Sequence, residues 1–201
     1  MAYASTAQLQ SWLRITDPVE DPELAIVLDQ AKQDIDAHCG RSFDKATGTP
    51  SDRVFAARWF DKLYVDDIAN TIGLVIAVDT GRDGTFSQTW AAADYQLEPL
   101  NQRQAGMSNH PYYVIRAIES KTFPVSARAQ VKVTADWGWT TLPKALETAS
   151  LMHAGRLHSR RINAAGVAEG AAFPTRVTMA MDRDTLSILE PFVRVDRLVA
   201  A

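Results

Sequence analysis

Residues Val133 to Leu146 read VTADWGWTTLPKAL, and the pattern changes halfway through. Val133, Thr134 and Ala135 close an alternating, strand-like run. Trp137, Gly138 and Trp139 then set two large aromatics around a residue free to turn, and Thr141-Leu142-Pro143 opens a helix. A sheet here hands the chain to a helix. Trp137, Gly138, Trp139 and Pro143 are the expected hinge of that hand-over, with the two indoles wedging the junction between a β region and a helical core.

Downstream, Thr141 to Arg161 is predicted as a helix. Leu142, Ala145, Leu146, Ala149, Met152 and Leu157 lie along one face, and Lys144, Glu147, Arg156 and Arg160 largely elsewhere. Upstream, short runs rich in β-branched and aromatic residues occupy Arg53–Phe60, Leu63–Val65, Ile72–Asp79, Thr85–Trp90, Tyr112–Ile118 and Arg128–Ala135. Asp79-Thr80-Gly81-Arg82-Asp83-Gly84 separates two of these as a hairpin loop. Asn101 to Pro111 is polar and is expected to be a mobile loop.

Before the β region, Ser5-Thr6-Ala7-Gln8 fits a capping box, and a short helix from Thr6 to Arg14 shows Leu9, Trp12 and Leu13 on one side. Asp21-Pro22-Glu23 places an acid and a first-turn proline at the start of a second helix. Its apolar stripe is Leu24, Val27, Leu28, Ala31 and Ile35, and Gly40 closes it. Asn163 to Pro174 is small and expected to be flexible, and Asp182 to Leu189 forms a last short helix stopped by Pro191. Leu28 and Ile35 are expected to pack against Leu146 and Ala149. The fold class is α+β: a small helical bundle core carrying an inserted antiparallel β region. The parts are the N-terminal helices (1–43), the β insertion (53–137), the core helix (141–162) and a loop, short helix and tail (163–201).

At 201 residues with 46% apolar content, the chain suits one domain or one domain with a large insertion. A net charge of -3 argues against wrapping phosphates as its main business. Cys39 is the single cysteine, so no intramolecular disulfide forms, which fits a reducing cytoplasm. The first residues lack a signal-peptide pattern, and no stretch approaches a membrane span, so a soluble protein made inside a cell is expected.

Candidate chemistry is sparse. Asp79, Gly81, Asp83 and Gly84 touch on a calcium-loop pattern, but the third position is Gly81 and the twelfth, where a glutamate belongs, is Trp90. The hairpin reading is preferred there. His38-Cys39 lacks further ligands, and His153 and His158 stand about 140° apart around a helix. GxSxG, GxxxxGK[ST] and GxGxxG are all missing, so neither an enzyme nor a bound cofactor or metal is expected. Arg156, His158, Arg160 and Arg161 make a basic helix end, read either as dipole complementation or as an interface for an acidic partner. The apolar tail with Phe192, Val193, Val195 and Leu198 either folds back onto its own core or docks on another chain.

The residues that converge are LQSWLRI, DPELAIVLDQAKQDIDAHCGRSF and VTADWGWTTLPKALETASLMHAGRLHSRR. In this order and spacing the sequence resembles the head-tail connector proteins of long-tailed double-stranded DNA phages, also called head-completion or head-to-tail adaptor proteins. AAADYQLEPLN and ILEPFVRV look like the enlarged form found in phages of actinobacteria. The resemblance implies a ring of about twelve copies at the head-tail neck of a virion, made in the host cytoplasm. It implies as partners the portal protein on one side and the next neck or tail-completion protein on the other, with DNA passing through the channel without specific binding and no membrane involved. Carried onto this chain, it makes Leu186, Leu189, Phe192, Val193, Arg194, Val195, Arg197 and Leu198 the candidates for portal docking, and Leu24, Leu28, Ile35, Leu146, Ala149 and Met152 the core and ring contacts. The competing reading is a ligand-binding β module, for glycan or peptide, on a helical scaffold.

Overall fold

The computed structural model describes residues 2–16, 21–118, 120–126, 128–162 and 181–194, without the side chains of 161 and 162. The chain divides into two units, Met1–Ser42 with Leu142–Ala201, and Phe43–Thr141.

The helical unit holds α1 (Thr6–Leu13), α2 (Asp21–Cys39), α3 (Lys144–Ile162) and α4 (Arg183–Leu189), the last continued by a 3-10 turn over Glu190–Phe192. The capping box at Ser5 forms: Gln8 N–H donates to Ser5 Oγ at 3.2 Å, and Ser5 N–H donates to Gln8 Oε1 at 2.7 Å. On α2, Leu24, Val27, Leu28, Ala31, Ile35 and Cys39 are buried, as the stripe predicts. Gly40 ends α2 at a φ of 67°, donating its N–H to Asp36 O at 2.8 Å. α3 lies against α1, α2 and α4.

That position explains a difference on α3. A helix with neighbours on several sides buries more than one stripe. Leu146 and Ala149 are buried as expected, but so are Ser150, Leu151, His153, Ala154 and His158, whereas Met152 is only partly covered. His153 reaches Asp34 of α2 through Nε2 at 2.8 Å. On α1 only Leu9 is buried, and Trp12 is 52% exposed: two turns of helix cover too narrow an arc to bury all three apolar residues. α3 itself begins at Lys144, three residues later than the pattern suggests.

In the β unit, β1 (Ser51–Phe55), β7 (Val131–Ala135), β3 (Val75–Val78) and β4 (Gln88–Thr89) form one antiparallel sheet in the order β1-β7-β3-β4. β2 (Lys62–Ile68), β6 (Tyr112–Ala117) and β5 (Tyr95–Glu98) form another in the order β2-β6-β5. Alternation decides the burial. Leu63 and Val65 of β2, Ile115 of β6, Ile76 and Val78 of β3, and Val131 and Val133 of β7 join one apolar cluster with Trp90 and Phe123. Each such side chain contributes about 1.5–3 kcal/mol through burial, so this unit carries a core of its own. Trp90 and Phe123 stack with ring centroids 4.6 Å apart.

Sequence periodicity overlooks β5, whose residues are all half-buried and show no alternation. The segment Asn101–Pro111 also differs from the expected loose loop. Gln102 donates its side-chain amide to Ala69 O at 3.0 Å, His110 N–H donates to Gln102 O at 2.9 Å, and the His110 ring is fully buried. Polar composition here reflects internal hydrogen bonding.

At the corner, Gly138 has a φ of +121°, donates its N–H to Asp67 O at 2.7 Å, and is followed by Trp139, whose N–H donates to Asp44 O at 2.9 Å. A Cβ on Gly138 would lie 2.5 Å from Asp44 O, so the backbone approach itself excludes a side chain. Trp137 donates Nε1–H to Ser51 O at 2.8 Å and Trp139 donates Nε1–H to Asp67 Oδ2 at 2.9 Å, both inside the β unit, because a covered indole N–H must find an acceptor. Pro143 lies in the helical unit, its carbonyl accepting from Leu146 N–H at 3.0 Å.

Two predictions follow from this packing. Gly138→Ala combines a strained φ with a backbone clash and should destabilise the β unit by at least about 2 kcal/mol, read as a lower denaturant midpoint of Trp fluorescence. Asp182 caps α4 by accepting from Arg183 N–H at 3.0 Å and pairs with Arg156 at 2.8 Å. The hydrogen bond from Arg156 holds its carboxyl below the ordinary value of 3.8, so its contribution is present above that value and is lost as pH falls through the lower folded one. Asp182→Ala should speed amide exchange across α4 at neutral pH, and the difference from wild type should shrink in acid.

Candidate functional site

The residues singled out for portal docking separate into three groups. Leu189 is fully buried, Phe192 is 3% exposed and Arg194 is 8% exposed, and Arg194 N–H donates to Cys39 O at 3.0 Å. Of the two readings of the tail, folding back therefore holds as far as Arg194. The physical reason is that Leu189 and Phe192 fall on the same side of α4 and its 3-10 continuation, where burial against their own unit recovers the apolar free energy at once. Leu186 and Val193 are half-buried. Val195, Arg197 and Leu198 lie outside the described residues, as do 163–180.

Leu24, Leu28, Ile35, Leu146 and Ala149 are buried within the helical unit. They hold its core. The basic helix end is spent locally too: Arg156 pairs with Asp182, the N-cap of α4, and Arg160 is half-buried. The side chain of Arg161 lies outside the described residues.

What the outside offers instead is a set of exposed apolar side chains that the sequence reading missed. On the helical unit these are Trp12 and Ile26, and on the β unit Phe60, Ile72 and Leu100, each more than half exposed. Phe60 follows Trp59, which meets Tyr64 edge-on at 5.4 Å. Lys62 lies over both rings, at 5.0 and 5.6 Å. Strand alternation could have found this group: Lys62 and Tyr64 are the outward positions of β2, opposite buried Leu63 and Val65.

Some of the charges on the β unit come in pairs. Arg53 meets Asp66 at 2.6 Å, Arg116 meets both Glu98 at 2.7 Å and Asp61 at 3.1 Å, Lys121 meets Asp94 at 3.6 Å, and Lys132 meets Asp52 at 3.4 Å. The hydrogen bond to Glu98 raises the Arg116 guanidinium further above its ordinary value, and the one from Thr134 lowers the Asp52 carboxyl. Such exposed pairs contribute little to stability. Their effect is to neutralise cations that would otherwise attract phosphate.

Among the described residues, no group of three or more His, Cys, Asp or Glu side chains is placed to hold a metal ion. His38 is exposed and Cys39 buried, so the two adjacent residues face different surroundings. No described helix is long and apolar enough to cross a membrane.

No family model matches the chain, and no curated protein matches it. Solved structures do. A chain in the neck of an empty gene transfer agent (GTA) particle, computed with C6 symmetry, aligns at a TM-score of 0.54 and 18% identity over 94% of this chain and 89% of that one. A chain in the neck of the native particle, computed with C12 symmetry, aligns at 0.51 and 18% over 94% and 88%. A chain of the native GTA virion aligns at 0.52 and 21% over 94% and 89%. The α+β fold of this chain is thus the fold found in gene transfer agent necks, in line with the resemblance to head-tail connector proteins.

Proposed function

We propose that the chain is a structural protein of a virion neck: a ring adaptor that sits between the portal and the tail, completes the packaged head and continues the DNA channel. The observation that carries this reading is the shared fold with GTA neck chains over 94% of the sequence. Coverage that wide takes in the β unit, which favours a neck component over a ligand-binding β module on a scaffold. The C12 and C6 symmetries of those necks support a homo-oligomeric ring of about twelve copies. The net charge of -3 suits a channel through which DNA slides without being held. Within the portal-docking segment, Leu189, Phe192 and Arg194 shape the helical unit, so contact with the portal falls to Leu186 and Val193 and to Val195, Arg197 and Leu198. The role requires no reaction and no cofactor.

The test is to locate the protein in purified particles with gold-labelled antibody. Label at the neck between head and tail is the expected outcome. Label on the tail tip or capsid surface, or its absence from particles, overturns the reading. In the same system, Leu198→Asp should leave soluble protein folded while lowering its recovery in particles at least about tenfold, the scale of losing one buried apolar contact at an interface centre.

A further inference from the structure

A closed ring of more than two copies joins each copy to the next through two different surfaces, so the chain must carry two unlike patches that fit each other. One such patch lies on the β unit, just before and along β2. Phe60 is 65% exposed and Val125 38% exposed, on backbone stretches that lie side by side: Phe123 N–H donates to Phe60 O at 2.8 Å, and Ala57 bridges to Val125. The acids of this stretch are engaged, Asp61 with Arg116 and Asp66 with Arg53. Its cations are not. Among the described residues, exposed Arg58 meets no carboxylate, and Lys62 meets only the rings of Trp59 and Tyr64. Folding thus leaves an apolar patch with two cations in want of an acid.

The opposite combination stands on α2. Ile26 is 63% exposed. Asp29, three residues on and so on the same face of the helix, is exposed and has no ion pair or hydrogen bond among the described residues. Lys32, the one lysine or arginine of α2, is turned to Asp36 and the Tyr3 ring, so no cation of the helix answers Asp29. The other exposed apolar side chains do not offer this match. Trp12 has exposed Arg14, a further cation, two residues on. Val54 stands opposite Lys132, which Asp52 already holds, and Val75 opposite Thr134. Ile72 has no charged residue within two positions, and the nearest acid to Leu100, Glu98, is held by Arg116. Ile26 alone of this set carries an unanswered carboxylate beside it.

We propose that the α2 face of one copy seats on the Phe60 patch of the next, an inference that rests on the ring reading above. Ile26 covers Phe60, and Asp29 meets Lys62, with Arg58 beside it. The apolar pair supplies burial, while the charges select this partner surface and its register, since a like-charged surface brought to either patch is repelled. Each copy carries both halves of the contact, so copies add head to tail until the ring closes.

Charge reversal in purified particles tests this. Asp29→Lys and Lys62→Asp should each leave the soluble chain folded by circular dichroism and lower its recovery in particles at least about tenfold, because like charges then face each other. The double variant restores the attraction with its sign reversed, and recovery should return to within about threefold of wild type. Ile26→Cys combined with Phe60→Cys, oxidised in particles, should run as a ladder of disulfide-linked multimers on a non-reducing gel. Single reversals without effect, a double no better than the singles, or a cysteine variant that stays monomeric overturns the contact. An amine-reactive cross-linker on wild-type particles tells that failure from failure of the ring: multimers with the cross-linker but none from the cysteine pair leave the ring standing and refute this contact. Multimers with neither remove the ring, and the inference with it.

Discussion

Trp139 poses a demand that the β unit is arranged to meet. Its indole is 2% exposed, and an indole buried that deeply must both fill a large volume and give its N–H to an acceptor. Asp67 answers twice: its carboxylate takes the Trp139 Nε1–H and its backbone carbonyl takes the Gly138 N–H. Phe43 and His110 pack on the ring with centroids 5.3 and 5.0 Å away. Residues from the start, middle and end of the unit thus converge on one side chain. The tight approach of Gly138 to Asp44 is the backbone condition for that convergence, because any Cβ there would push Trp139 away from its acceptor.

The charged residues follow a similar economy of local use. Arg156 serves the N-cap of α4, Asp34 meets His153, and Lys32 meets Asp36 within α2. The exposed pairs among them contribute little, so their number says little about stability. What they decide is the outward field: within a chain of net charge -3, each cation held in a pair is less available to a polyanion.

Legibility in the sequence followed the strength of local rules. The capping box at Ser5, the acid-and-proline start of α2 and the cap at Gly40 were readable because each is a short-range hydrogen-bonding or backbone requirement. β5 was not, since a strand half-covered on both faces carries no period-two signal. Gln102 and His110 looked like loop residues because their distant partners, Ala69 O for Gln102 and the Trp139 ring for His110, are set by tertiary folding rather than by spacing. On α3, Met152 is only partly covered while His153 is buried: one apolar stripe was assumed for a helix that packs on three others. The apolar tail could be read as self-covering or as docking, and only the burial of Leu189 and Phe192 separated the two as far as Arg194.

Each unit closes an apolar cluster from its own residues: Leu24, Leu28 and Ala31 with Leu151 and Ala154 in one, the two facing sheets in the other. A chain built this way completes its cores from its own residues. The proposed ring would draw on side chains left outside by folding, such as Trp12, Ile26, Phe60 and Ile72. Exposed apolar and aromatic groups scattered over a surface are tolerable in a monomer when no single patch is large, yet they become favourable once several are covered together. That difference lets a protein stay dispersed at low local concentration and assemble when a template gathers copies, because the free energy released per contact is modest and the number of contacts grows with each copy added.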